Sequence, residues 1–191
     1  TGVQTCGALM NASGDYAAAK RCLDEGLAVG LATGDAEILG DAYMNLGHWA
    51  MRQADYGAAQ RYHTQALAQR RRAGARLRVA ISSHQLADAL SMQGEHAQAQ
   101  PLYAEALAIS RGLGDQAFVA WTSYRLGYAA THQGAYVHAR EHFAASLQIY
   151  RAQREHGLIT SALAGCAELW RAQGQPERAA SLIGYAQAHP Q

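Results

Sequence analysis

Shifted against itself by forty residues, the chain of 191 residues aligns five times without a gap. Gly14, Ala54, Gly94, Gly134 and Gly174 fall in one column, and Ala19, Ala59, Ala99, Ala139 and Ala179 in a second. Leu27, Leu67, Leu107 and Leu147 make a third, which Gln187 breaks. A fixed period of this length marks a repeat architecture, in which no unit can bury its apolar face alone and each stacks on its neighbours. The five repeats fall at about 1–35, 36–75, 76–115, 116–155 and 156–191 and use up the chain. They leave no room for a separate catalytic domain, and a single domain over 1–191 is expected.

Composition gives the class of helix or strand. Hydrophobic residues make up 49% of the chain, most of them Ala and Leu, and the only prolines are Pro101, Pro176 and Pro190. Few β-branched residues and few helix breakers predict an all-α protein. The balance of 16 basic and 15 acidic residues gives no general electrostatic reason to expect nucleic acid or an anionic membrane as partner. No apolar run approaches the ~20 residues of a membrane span. Three cysteines without framework spacing point to a reducing, cytoplasmic setting. The chain begins with Thr1 inside a repeat, so it is expected to be a piece of a longer protein.

Within the second repeat, Ala42, Leu46, Trp49 and Ala50 recur on one face of a helix running from Asp41 to Gln53. Gly47 lies in mid-helix at a cost of about 1 kcal/mol against Ala, which marks a close approach by the neighbouring helix. A turn follows at Ala54-Asp55-Tyr56, matched by Gly14-Asp15-Tyr16, Gly94-Glu95-His96 and Gly134-Ala135-Tyr136. Glycine suits the left-handed residue that ends a helix, and the acid after it suits the start of the next. The second helix runs from about Tyr56 to Arg72, with Ala59, Tyr62, His63, Ala66 and Leu67 as its buried stripe. Arg72-Ala73-Gly74 closes it, as Thr33-Gly34-Asp35, Leu113-Gly114-Asp115 and Gln153-Arg154-Glu155 close the others. Each repeat is therefore a helix hairpin.

These columns resemble the tetratricopeptide repeat. Leu46-Gly47, Leu86-Ala87 and Leu126-Gly127 match its first-helix Leu-Gly pair. The Gly-acid-aromatic turn and the small Ala59 column match its hairpin turn and helix crossing. The next core column reads Leu23, His63, Tyr103, Phe143 and Ile183 where the family favours an aromatic. The forty-residue variety, with Tyr62-His63-Thr64-Gln65-Ala66-Leu67, is similar to LGN-type polarity adaptors and to sensor regions of bacterial transcription regulators and signalling ATPases. The closing segment Glu177–Ala186 resembles the bacterial set.

The resemblance implies a right-handed all-α solenoid of five antiparallel helix hairpins whose first helices line a concave binding face. Its geometry then points to Asp41, Met44, Asn45, His48 and Arg52 in the second repeat. In the third it points to His84, Gln85 and Asp88, and in the fourth to Trp121, Tyr124, Arg125, Tyr128 and His132. Aromatic and Arg side chains of this kind dominate contact hot spots. The family's carboxylate clamp is not expected, because Gln4, Met44 and Trp121 stand where its lysines would be.

Other signals have duller explanations. His138 and His142 have the i,i+4 spacing of a metal pair, but no third ligand can be named and a solvated helix face accounts for them. Cys6 and Cys166 share a column with Leu46, Leu86 and Leu126 and read as small buried residues. Arg70, Arg71, Arg72, Arg76 and Arg78 straddle a helix C-terminus, where cations are favoured. No nucleophile, paired-carboxylate or phosphate-loop pattern appears. The expected function is non-catalytic, cofactor-free binding of a protein or peptide, or of other domains of the parent protein. The alternative is an effector-sensing domain of a bacterial transcription regulator or signalling ATPase. A homodimer through Val3, Leu9 and Met10, or through Leu182, Ile183 and Tyr185, is a further option.

Overall fold

The computed structural model describes residues 16–188, which contain nine helices and no strand. In chain order they are α1 (Tyr16–Thr33), α2 (Ala36–Arg52), α3 (Tyr56–Arg72), α4 (Arg76–Met92), α5 (His96–Leu113), α6 (Gln116–His132), α7 (Tyr136–Gln153), α8 (His156–Ala172) and α9 (Pro176–Ala188). Cys6, Gly14, Asp15 and the apolar residues Val3, Leu9 and Met10 lie outside the described residues. Contacts divide the chain into two compact units, 1–94 and 95–191. In the first, α2 packs on α1 and α3, and α3 on α4. In the second, α6 packs on α5 and α7, α7 on α8, and α8 on α9 and α6.

The forty-residue period is visible in the backbone angles. Gly94, Gly134 and Gly174 have φ of +82°, +73° and +73°, and Gly34, Gly74 and Gly114 have +66°, +68° and +73°. Both glycine columns therefore hold left-handed turn residues, the conformation that glycine adopts without steric cost. Ala54 and Arg154 occupy the same columns without being glycine and adopt the same hand, at φ +56° and +58°. The acid after the turn then caps the next helix where it is short enough. Asp35 accepts from the amides of Glu37 and Ile38 at 2.8 and 3.1 Å, Asp55 from Ala58 at 2.9 Å, and Asp115 from Phe118 at 3.0 Å. Glu95 and Glu155 stand in equivalent places and make no such bond; their extra methylene removes the carboxylate from the amide.

The alanine column lies where helices cross: Ala19, Ala59, Ala99 and Ala139 are fully buried. A larger side chain there would hold the axes apart. The first unit closes over Leu23 and Leu46 with Trp49 and Tyr62, and over Ala50, Ala58, Ala59 and Ala89. The second closes over Ala130, Ala139, Phe143 and Leu169, and over Ala120, Tyr150 and Ala162. A repeated hydrogen bond adds to this packing. Gln93 and Gln133, each just after its first helix, donate to the carbonyls of Tyr56 and His96, 37 residues earlier, at 3.4 and 3.2 Å. The column Gln53, Gln93, Gln133, Gln173 was the sequence signal for it.

Candidate functional site

In the first unit, α2 turns Leu39, Ala42, Met44, Leu46 and Ala50 into the core. Asn45 and His48 are half-buried beside them and Arg52 is exposed. The third-repeat candidates fare differently. Gln85 is half-buried, but His84 is fully buried and Asp88 is 4% exposed. The His84 Nε2 lies 3.6 Å from an Asp88 carboxylate oxygen. These two belong to a buried polar layer and not to an open face, which corrects their sequence-based placement.

That layer extends into α3. The His63 ring sits over Gly47, so closely that a Cβ on Gly47 would run into the imidazole. The close approach expected at Gly47 is thus made by a side chain. The His48 ring meets His63 edge-on at 5.5 Å between centroids. Burial pulls the His63 pKa down to about 3, with His48 and Arg70 adding to the fall and Asp88 opposing it. His48 is shifted in the same direction, first by burial and then by Arg70.

The basic cluster does span the end of α3, with Arg70, Arg71 and Arg72 in its last turn, but not all of it is solvated. Arg70 is buried, and its guanidinium donates to Ser82 at 2.9 Å, to the Arg78 carbonyl at 3.3 Å and to Asp41 at 3.0 Å. Arg78 donates to the same carboxylate at 3.0 and 3.1 Å. Asp41 thereby joins α2, α3 and α4, and two of the five arginines are committed to structure. A second copy of the Asp41–Arg78 pair does not exist in the other repeats, so periodicity carried no hint of it.

In the second unit, α6 carries Trp121, Tyr124, Arg125 and Tyr128, all half-buried, and the exposed His132. Tyr124 is largely structural, tilted on Phe143 at 5.9 Å and close to Gly165. Its hydroxyl is pushed above the ordinary range, chiefly by burial. Trp121 meets Phe118 edge-on at 5.5 Å. Tyr128 and His132 lie 4.4 Å apart, and His96 at the start of α5 stacks on His132 at 4.6 Å and meets Tyr128 at 6.1 Å. His96 was missed in the sequence because it sits in the turn column, on the other helix of its hairpin. It brings a third ring to one accessible cluster. No carboxylate occurs along α6.

No catalytic constellation emerges among these residues. Burial pushes the Cys166 thiol up to about 11, so it is protonated at neutral pH and is a poor nucleophile. Cys22 is disulfide-bonded and Cys166 is free. His138 is exposed, with Nδ1 3.3 Å from Glu141. Among the described residues no three His, Cys, Asp or Glu side chains converge as metal ligands. No described helix is long and apolar enough to cross a membrane. Clefts of about 640, 460 and 470 Å3 exist at α8–α9, α5–α7 and α2–α3. None of the predicted face residues lines them.

The fold defines a helical-hairpin repeat protein. Residues 39–112 match the tetratricopeptide-repeat family model. The crystal structure of BtubC (BKLC) from P. vanneervenii superposes with a TM-score of 0.83 at 19% identity, covering 97% of this chain and 77% of that one. Two crystal structures of a putative kinesin light chain from Podosopora anserina, built of nearly identical TPR-like repeats, give TM-scores of 0.82 and 0.80. Their identities are 18% and 17%, and in each case 98% of this chain and 92% of that chain are covered. At such identities the likeness is one of fold, that of an all-α solenoid. No curated protein sequence matches the chain. Tetratricopeptide repeats generally mediate protein–protein interaction.

Proposed function

We propose that the chain is a non-catalytic interaction module that binds a peptide or partner segment through the accessible faces of its first helices. In the first unit the contact residues are Asn45, His48, Arg52 and Gln85. In the second they are Trp121, Arg125, Tyr128 and His132, with His96 added and Tyr124 as support. The observation that carries this reading is the ring cluster of His96, Tyr128 and His132, within 4.4–6.1 Å of one another and in part accessible. Flat amphipathic side chains of this kind give contact area at a small entropic cost.

The test is selection from a random peptide library on the intact chain, followed by titration of the selected peptides. Tyr128→Ala with His132→Ala should weaken binding about tenfold or more, since each hot-spot truncation costs at least 1 kcal/mol. Leaving Tyr124 in place keeps its ring contact with Phe143; because Tyr128 also packs on this cluster, thermal unfolding of the double variant must show that it is still folded at the assay temperature. Peptides that bind the double variant as tightly as the parent would place the site elsewhere.

A further inference from the structure

The column Leu23, His63, Tyr103, Phe143, Ile183 fills one seat per repeat. In the second unit that seat holds Phe143, whose ring lies against Gly127 and Gly165. A Cβ on either glycine would come within 2.8 and 2.6 Å of it. In the first unit the same seat, over Gly47, holds an imidazole. His63 is wholly buried, and neither of its ring nitrogens has a hydrogen-bond partner. A phenyl ring leaves nothing unsatisfied in such a place, whereas an imidazole gives up hydration at both nitrogens.

The groups around it come from four helices. The α2 helix brings His48, edge-on at 5.5 Å. The α3 helix brings Arg70, tied to Asp41 with Arg78. The α4 helix brings Asp88, with His84 3.6 Å away from it. The α1 helix packs on α2 and carries Lys20, paired to Asp24 at 2.6 Å and lying over the Trp49 ring. One carboxylate, Asp88, would welcome a proton on His63; burial, His48 and Arg70 oppose it.

We propose that this cluster makes the first unit an acid-responsive element, in which protonation of His63 drives its ring off Gly47 and loosens α3 from α2 and α4. The second unit, with Phe143 in the equivalent seat, lacks the device.

The direction follows from proton counting. A histidine whose pKa is about 3 in the fold and 6.5 in the open chain binds fewer protons when folded. The closed state is therefore fully favoured above pH 6.5 and loses ground as pH falls towards 3. Between pH 7.5 and 5 the opening constant of the α2–α4 packing rises about 30-fold from this one group. Because α2 carries Asn45, His48 and Arg52, a ligand held there under the reading above would be released by acid; the device itself does not depend on that reading.

Hydrogen exchange read by mass spectrometry on the intact chain tests it, at pH 7.5 and pH 5 and corrected for intrinsic exchange. Protection in peptides from α2 to α4 should fall about 30-fold more than in peptides from α6 and α8, α7 being set aside because burial also lowers the pKa of its His142. His63→Phe, copying Phe143, should abolish that difference, and His63→Leu, copying Leu23, provides a second apolar occupant if the larger ring does not fit. Retention of the acid response in whichever variant is folded at pH 7.5, or an equal loss of protection in both units of the parent, overturns the proposal.

Discussion

Replacing Gly127 by Ala sets two known effects against each other. In an open helix interior the change is favourable by about 1 kcal/mol, because alanine loses less backbone entropy and shields the helix better. Gly127 is not open. The added Cβ would stand 2.8 Å from two carbons of the Phe143 ring and 3.0 Å from a third. Gly165 crowds the same edge of the ring, where a Cβ would stand 2.6 Å from Cε1, so that edge is already tightly packed. Overpacking of this kind costs typically 1–3 kcal/mol, and because two glycines already crowd the same ring edge the upper part of that range applies. Net destabilisation of about 1–2 kcal/mol is expected after the helix gain is subtracted. Gly26 is the control. It lies within α1, a Cβ there meets nothing within 4 Å, and its column-mates Ala66 and Ala106 already carry one. Gly26→Ala should therefore stabilise by up to about 1 kcal/mol. Urea unfolding followed at a probe in each unit separates the two effects. Phe143→Leu should relieve the Gly127→Ala penalty, giving a coupling energy of about 1 kcal/mol in a double-mutant cycle. If Gly127→Ala stabilises the chain as Gly26→Ala does, Phe143 does not occupy the seat described.

Ala54 holds a left-handed turn at φ +56° in a column where the other described residues are glycine, so Ala54→Gly should raise stability by about 1 kcal/mol in thermal unfolding; a loss of that size would mean that the turn is not left-handed. Asp41→Asn leaves the buried Arg70 guanidinium without its carboxylate, and a cost of about 1–2 kcal/mol is expected because Asp41 is itself 41% exposed and partly screened. Unchanged unfolding in urea would show that the Asp41–Arg70–Arg78 network contributes nothing. With its thiol pushed up to about 11, Cys166 should react with a thiol reagent at pH 8 about 100-fold more slowly in the folded chain than in urea; equal rates would contradict its burial.

Much of the architecture was legible in the sequence, and the reason is geometric. A forty-residue period says which residues are equivalent, and equivalence is enough to place turns and crossings. The bounds Tyr56 to Arg72 agree with α3 because glycine and arginine columns punctuate both ends. The alanine column reads directly as a helix crossing, since only a small residue fits there. Departures from the columns were harder to read. Asp41, Arg70 and Arg78 looked like a groove residue and a basic helix end, yet they form one ion-paired network. That network depends on side chains occurring in one repeat and not in the others.

The candidate face shows the same division. Asn45, His48, Tyr128 and His132 remain accessible in part or in full, whereas His84 and Asp88, chosen by the same register, are buried. His96 joins Tyr128 and His132 from a different helix. The sequence by itself determined the repeat, its helix hairpins, its left-handed turns and the residues that must be small. Only the tertiary structure decided which polar side chains stay in water, which are sealed in, and that the His63 ring lies against Gly47 with neither nitrogen paired. The physical reason is that periodicity fixes a residue's position on its own helix, while its burial and its partners are set by side chains on the helices packed against it.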